Sequence, residues 1–432
     1  MGKKNYAFIH ANIFVGTDIG TLIEDSTVLV KDGMIEMVGA KGDAPRDYEV
    51  IDLGGRYLLP GMVNLHAHLF GTGKPAKNLG GGSSQKNLVA FVNSPIGRPV
   101  IDNMVKKHVR QALASGVTTI RSSGDFAYSD VRVRDLINKG RMAGPRLLVP
   151  GPAITCIGGH GDGTFAKTSD DPKVLQSFVE ERKAHNVDWI KICVTGGVMD
   201  AKVKGEPGIV KMTAEQTKAV CDKAHELGYR VASHTESSQG IKVALENGVD
   251  TIEHGSLLDE ELVSQFLNRG AAFIVTTSPA LPLAKLPSSV TQLNDLCTYN
   301  SGVLLEHMIG GAKMALSNGI PVGLGTDESC PLVTPYSMAR EIFYFAKYYG
   351  VSNSFALFTG TLGNARIAGI DKTTGSIEQG KCADLIILKD NPLKDLKALR
   401  HVDMVMAKGL LLKNPKVKHN DQIDDWLDSL EK

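Results

Sequence analysis

The sequence lacks any close cysteine framework. Its six cysteines (Cys156, Cys193, Cys221, Cys297, Cys330, Cys382) are scattered, and none forms a C-x-x-C pair. That excludes a disulfide scaffold and leaves buried thiols in a reducing compartment. Charge of one sign is lacking too: 48 Lys and Arg oppose 47 Asp and Glu, a formal net charge of +1, so no surface for nucleic acid is expected. No apolar run reaches the roughly 20 residues that cross a bilayer. The start, Met1–Tyr6, runs into strand-like sequence without a signal-peptide core. These absences imply a cytoplasmic protein with neither membrane nor nucleic-acid partners. Lys408–His419 is lysine-bearing and is followed by Asp421, Asp424, Asp425 and Asp428; it reads as a solvated tail.

What is present is enough chain, 432 residues, for a large barrel with an accessory module. Residues 1–59 read as short strands, with β-rich runs at Ala7–Phe14, Thr27–Lys31, Met34–Val38 and Glu49–Asp52 and a hairpin signal at Asp32-Gly33. The pattern returns in 371–432, at Ala383–Leu388 and Val402–Lys408. Both ends are therefore expected to build one small β-sandwich. Residues 60–370 alternate apolar strands with helical patterns, the signature of parallel βα units. Eight strands are expected: Met62–His66, Val117–Ser122, Arg146–Pro150, Trp189–Val194, Arg230–His234, Thr251–His254, Ala272–Thr276 and Val322–Asp327. The fold class is α/β, a (β/α)₈ TIM-type barrel. Long loops are expected at Gly71–Ser84, Gly196–Met212 and Thr277–Asn300, the last holding three prolines. The first is read as a mobile lid, since Pro75 follows Lys74 where a phosphate-binding loop needs Ser or Thr.

The unusual residues fall at the carboxyl ends of the predicted strands, where barrel enzymes place their chemistry. His66 and His68 end the first strand two residues apart, on one side of an extended chain, and can share a metal. His234 closes the fifth strand, His254 the sixth and Asp327 the eighth. Lys191 interrupts the apolar fourth strand, where an unpaired ammonium is costly. Either a barrel carboxylate pairs with it, or it is carbamylated by CO₂ into an anionic bridge between two cations.

Those pieces, together with Leu59-Pro60-Gly61-Met62-Val63-Asn64-Leu65 before His66, Thr251-Ile252-Glu253-His254-Gly255, Gly325-Thr326-Asp327 and Gly375–Leu388, resemble the amidohydrolase superfamily over almost the whole chain. Gly158-Gly159-His160-Gly161-Asp162 and Thr195-Gly196-Gly197-Val198-Met199 resemble its imidazolonepropionase-like and prolidase-like (Xaa-Pro or Xaa-Arg dipeptidase-like) group. The resemblance implies His66, His68 and Asp327 on one metal, His234 and His254 on the other, and carbamylated Lys191 between them. It also implies a homo-oligomer. Glu236 stands where this chain departs from some relatives, and so bears on substrate choice.

The activity so implied is cleavage of an amide bond in a dipeptide, N-acyl amino acid or related small amide. A metal-bridging hydroxide would attack, with Asp327 as general base and acid. Zinc is the expected metal. His160 would hydrogen-bond the substrate; Arg121, with Lys74, Lys77, Lys167, Lys202 and Lys204, would attract a carboxylate-bearing small molecule. The rival readings are a mononuclear zinc deaminase, which would not need Lys191, a cyclic amide hydrolase, and a noncatalytic barrel.

Overall fold

The computed structural model of the chain describes residues 4–17, 19–40, 45–75 and 83–431. Met1–Lys3 at the N-terminus, Lys77, and residues 76–82 of the expected lid lie outside the described residues.

The eight barrel strands form where the apolar runs fall. The first three, Met62–Ala67, Val117–Ser122 and Arg146–Leu148, pair in parallel. The third is interrupted at Pro150-Gly151-Pro152, where two residues without an N–H break the ladder, and resumes as Ala153–Thr155. From there the parallel order runs through Ile190–Cys193, Val231–Thr235, Thr251–His254, Ala272–Val275 and Val322–Leu324. Buried on both faces, these strands read as continuous apolar stretches rather than alternating ones.

Closure of the eighth strand on the first is made without a regular ladder. A single parallel bridge joins Ala67 and Glu328. Asn364 does much of the stitching from the helix Asn364–Ala368: its amide donates to the carbonyls of Val63 (2.6 Å) and Leu324 (2.8 Å), and its Oδ1 accepts from Leu324 N (2.9 Å). Asn64 adds bonds to the hydroxyl and backbone N of Thr326. Gly325 is required here, because a Cβ on it would overlap that of His66.

The termini do meet in one sheet. Leu385–Leu388 lies antiparallel to Tyr57–Pro60, which pairs with Tyr6–Phe14, so a single eight-stranded sheet runs from Leu410–Lys413 to Met34–Ala40. Alternation along Leu385–Leu388 serves two cores: Leu385 and Ile387 pack within the module, Ile386 and Leu388 against the barrel.

Two expectations need correction. Thr277–Asn300 is mostly helical: Thr277–Lys285 and Ser288–Thr291 precede the long helix Asp295–Ser317. Pro279 sits in a first turn, where no intrahelical N–H is needed, and Pro287 precedes a helix start. The stretch Lys408–His419 is a solvated tail only in part, since Leu410–Lys413 is a strand of the sheet, and the acids beyond it are not in a tail. Asp421–Ser429 is a helix whose Ile423 and Leu427, one turn apart, bury against Leu286 and Leu332. Among the described residues no helix is long and apolar enough to cross a membrane.

Asn364→Ala removes three buried hydrogen bonds and strands two carbonyls. The expected cost is about 3 kcal/mol, read as a lower denaturation midpoint, while Asn318→Ala on an exposed helix end should change it by under about 0.5 kcal/mol.

Candidate metal centre

The seam between strands one and eight brings His66, His68 and Asp327 together. The Nε2 atoms of His66 and His68 lie 3.3 and 3.5 Å from Asp327 Oδ1. His254, from strand six, has its ring 4.8 Å from that of His66, tilted by 58°, and 4.6 Å from that of His234, edge-on at 66°. Donor atoms of His66, His254 and Asp327 lie within 4.8 Å of one another, as do those of His234, Glu236 and His254. These two sets, overlapping at His254, are chemically fit to hold cations. His254 and Asp327 take positive φ, 68° and 53°, a strain that closely packed surroundings must sustain.

Three imidazoles are held through Nδ1. His66 bonds Glu253 (2.7 Å), His68 the carbonyl of Gly124 (2.8 Å) and His254 the hydroxyl of Thr276 (2.7 Å). Anchored this way, each ring keeps Nε2 free for a ligand, the arrangement that orients metal-binding histidines. Burial lowers the His68 pKa to about 4 and puts those of His234 and His254 well below the ordinary value, so these rings are neutral. Burial opposes ionisation of Asp327, but His66, 3.3 Å away, holds its carboxyl well below the usual range.

Beneath this layer Glu253 is wholly buried. It accepts from His66, from Arg121 Nη2 (2.8 Å) and from the Thr251 hydroxyl (2.6 Å). Burial would raise its pKa, yet Arg121 and His66 hold it far below the ordinary range. Arg121 is thereby corrected: its guanidinium, 1% exposed, is spent on Glu253, Thr251 and Leu65 O and lies 4.6 Å from the Trp189 ring. It underpins the cluster and does not face a substrate. Of the rim lysines, Lys167 is paired with Glu181 and Lys204 lies over Tyr299.

Lys191 stands differently. Its side chain is 2% exposed, and its Nζ has no hydrogen-bond partner among the described residues. Burial lowers its pKa, with Glu253 only partly opposing. The charge of a protonated Nζ would act on His68, His234 and His254.

His160 comes in from the loop after strand three. Its ring lies parallel to that of His234, 4.0 Å away and 3° off, and its Nδ1 bonds Asp200. Gly197 leaves the room: a Cβ there would lie 3.1 Å from both rings. Glu236 is buried, accepts from Val198 N (3.0 Å), and has Oε1 3.7 Å from His234 Nε2; burial raises its pKa well above the ordinary value. Sequence reasoning missed Asp200, Glu253, Thr276 and Cys330, whose thiol bonds Asp327 (3.2 Å). Only Glu253 carried a signal, an acid inside an apolar strand beside a histidine.

The sequence pattern of the amidohydrolase family matches residues 57–412. A solved structure from Bifidobacterium longum, provisionally designated a prolidase, is 36% identical over 100% of both chains with a TM-score of 0.87. The structure of a Xaa-Pro dipeptidase with methionine bound in its active site is 26% identical, covers 95% of this chain and 100% of its own, and has a TM-score of 0.83. Ochratoxinase of Aspergillus niger is 24% identical over 96% of this chain and 88% of its own length. With a match that spans the barrel and reaches the sheet strands on either side of it, the chain belongs to the amidohydrolase family.

Proposed function

We propose that this chain is a binuclear metal-dependent hydrolase that cleaves the amide bond of a dipeptide, an N-acyl amino acid or a related small amide. In this reading His66, His68 and Asp327 hold one divalent cation, His234 and His254 hold the other, and Lys191, carbamylated by CO₂, joins them. Zinc suits such imidazole and carboxylate donors.

The observation that carries the proposal is the bare amine of Lys191, buried without a hydrogen-bond partner among the described residues. An amine kept neutral by burial has a free lone pair for CO₂. The carbamate that forms is an anion, which two cations would stabilise where an ammonium would be repelled. The Nδ1 bonds of His66, His68 and His254 support the same reading, since each leaves a neutral nitrogen facing the cluster. Bound cations would supply Lewis acidity, acidifying a water and polarising the scissile carbonyl.

The chain's own residues do the rest. Asp327, ionised and beside His66 and His68, takes a proton from the attacking water as the C–O bond forms. It delivers that proton to nitrogen as the C–N bond breaks, because an amine leaves poorly unprotonated. His160, tied to Asp200 through Nδ1, has Nε2 left to bond the substrate's carbonyl or carboxylate. Glu236 lines the same space beside His234 and contacts the substrate. The prolidase, Xaa-Pro dipeptidase and ochratoxinase names of the relatives favour an amide substrate.

Metal analysis of protein purified without chelators should give two divalent ions per chain, and ¹³C-bicarbonate should produce a carbamate resonance that Lys191→Ala abolishes. One ion per chain with an unmodified Lys191 would instead favour deamination. Against a library of dipeptides and N-acyl amino acids, Asp327→Asn should lower kcat by roughly 10²–10⁴-fold with both ions still countable. Acidification should not release metal near pH 6.5. Neutral imidazoles hold it until the pH falls toward the His68 value of about 4, where protons begin to compete. Release centred at the ordinary imidazole value would contradict the burial argument.

A further inference from the structure

Next to the histidine cluster, and separated from it by one aromatic ring, lies a cavity of about 520 Å³, within the size range of small-molecule sites. The helix Ser83–Asn93, the turn Phe126–Tyr128 and the strand Ala166–Thr168 contribute its walls. Its lining is mainly apolar, with Val89, Phe126, Tyr128, Val131 and Phe165 the largest such side chains.

Phe165 belongs to both spaces. Its ring centroid is 4.8 Å from that of His68 and 5.7 Å from that of His160, and the same side chain lines the cavity. The backbone makes room for it. Gly124 and Gly161 take φ of 119° and 81°, and a Cβ on either would come within 3.1 and 2.9 Å of the ring. Gly124 is also the residue whose carbonyl holds His68, so the ring's seat and the histidine's anchor are one piece of chain.

Two of the three cations in the walls are paired, Arg132 with Asp102 (2.6 Å) and Lys167 with Glu181 (2.6 Å), and the third, Arg98, is exposed. One buried polar atom of the lining is left without a partner among the described residues. Asp125, wholly buried, uses Oδ2 to accept from Leu69 N and the Ser122 hydroxyl, while its Oδ1 has no partner among the described residues. Ala127 and Tyr128, neither of them glycine, hold φ of 51° and 58° beside it, strain of the kind that gathers at ligand sites.

We propose that this cavity is the subsite for an apolar, aromatic-sized side chain of the substrate, and that Phe165 is the specificity-determining residue that turns to admit it from the metal cluster. The location of the scissile bond rests on the hydrolase reading above; occupation of the cavity does not.

Two measurements on the full-length, metal-loaded protein test the two parts separately. The first uses p-cresol, a phenol-sized probe, in saturation-transfer NMR. It should bind the wild type with intermolecular contacts to the Phe165 ring, and Val131→Trp, which fills the cavity from its wall, should abolish them. Because Val131 is buried, folding of its variant is checked by circular dichroism, and Val89→Trp, at a half-buried lining position of the helix Ser83–Asn93, repeats the test.

The second measurement compares glycine, leucine and phenylalanine side chains on the amide scaffold that turns over best. The wild type should favour phenylalanine over glycine by roughly tenfold or more in kcat/KM. Both tryptophan variants should erase that preference and leave the glycine substrate unchanged, and Phe165→Ala should alter the preference without altering metal content. No p-cresol contact, or a side-chain preference untouched by a filled cavity, overturns the subsite. If p-cresol binds as described while no amide is cleaved, the cavity stands and the hydrolase reading falls.

Discussion

Everything at the rim depends on the closure of strand eight on strand one. His66 and His68 lie at one edge of that seam and Asp327 at the other, separated by some 260 residues of sequence. Regular pairing does not hold the edges together. The backbone N atoms of Thr326 and Asp327 both donate to the carbonyl of His66 (3.0 and 2.8 Å), and His68 N donates to Glu328 O (3.1 Å). Asn64 and Asn364 stitch the strands from within. The bonds that close the barrel are thus made by the backbones of the site residues themselves. A barrel that closed loosely here would lose the site before it lost the fold.

Charge in the layer below follows from the same enclosure. A wholly buried carboxylate such as Glu253 is tolerable only if hydrogen bonds and an opposite charge satisfy it. Arg121 supplies the charge, and His66 and Thr251 fill the remaining positions. Fixed in this way, Glu253 sets the orientation of His66. His68, His234 and His254 lose their own charge to burial. The result is a cluster of neutral nitrogens around an ionised Asp327, an environment short of positive charge at its centre and structurally ready to receive it.

Much of this was legible in the sequence because it depends on strand ends. Short apolar runs fix the parallel sheet, and the histidine or acid that closes four of them, His66, His234, His254 and Asp327, fixes the height at which those groups emerge. The two-residue spacing of His66 and His68 and the lone lysine of the fourth strand were informative for the same reason. What could not be read was where long side chains turn. Arg121 follows Ile120 on a strand and looks like a rim cation, but its guanidinium runs inward to Glu253 on a strand 132 residues further along. Asp200, in a loop with no periodicity, reaches His160 across 40 residues. The Thr277–Asn300 region misled because proline is read as a breaker, although Pro279 is tolerated in a first turn and Pro287 before a helix start, and Pro282 is accommodated inside the helix Thr277–Lys285. The C-terminal helix was obscured by its many acids, which mask the two apolar residues that dock it.

Arg121 and Lys191 together show why the lysine is the chemically informative residue. Both are basic side chains buried inside one barrel, 1% and 2% exposed, and both lie within reach of the charge on Glu253. An arginine cannot shed its proton in a protein, so a buried one must be satisfied in its charged form: Arg182 is satisfied by the carbonyls of Pro152, Ala153 and Phe178, and Arg121 has Glu253 at 2.8 Å. A lysine can become neutral, and Lys191, left without a hydrogen bond or an ion pair among the described residues, is pushed in that direction by its surroundings. Glu253 is committed to the base that cannot lose its charge. The base that can is left bare at the height of the histidines, where a neutral amine has chemistry available to it that a guanidinium does not.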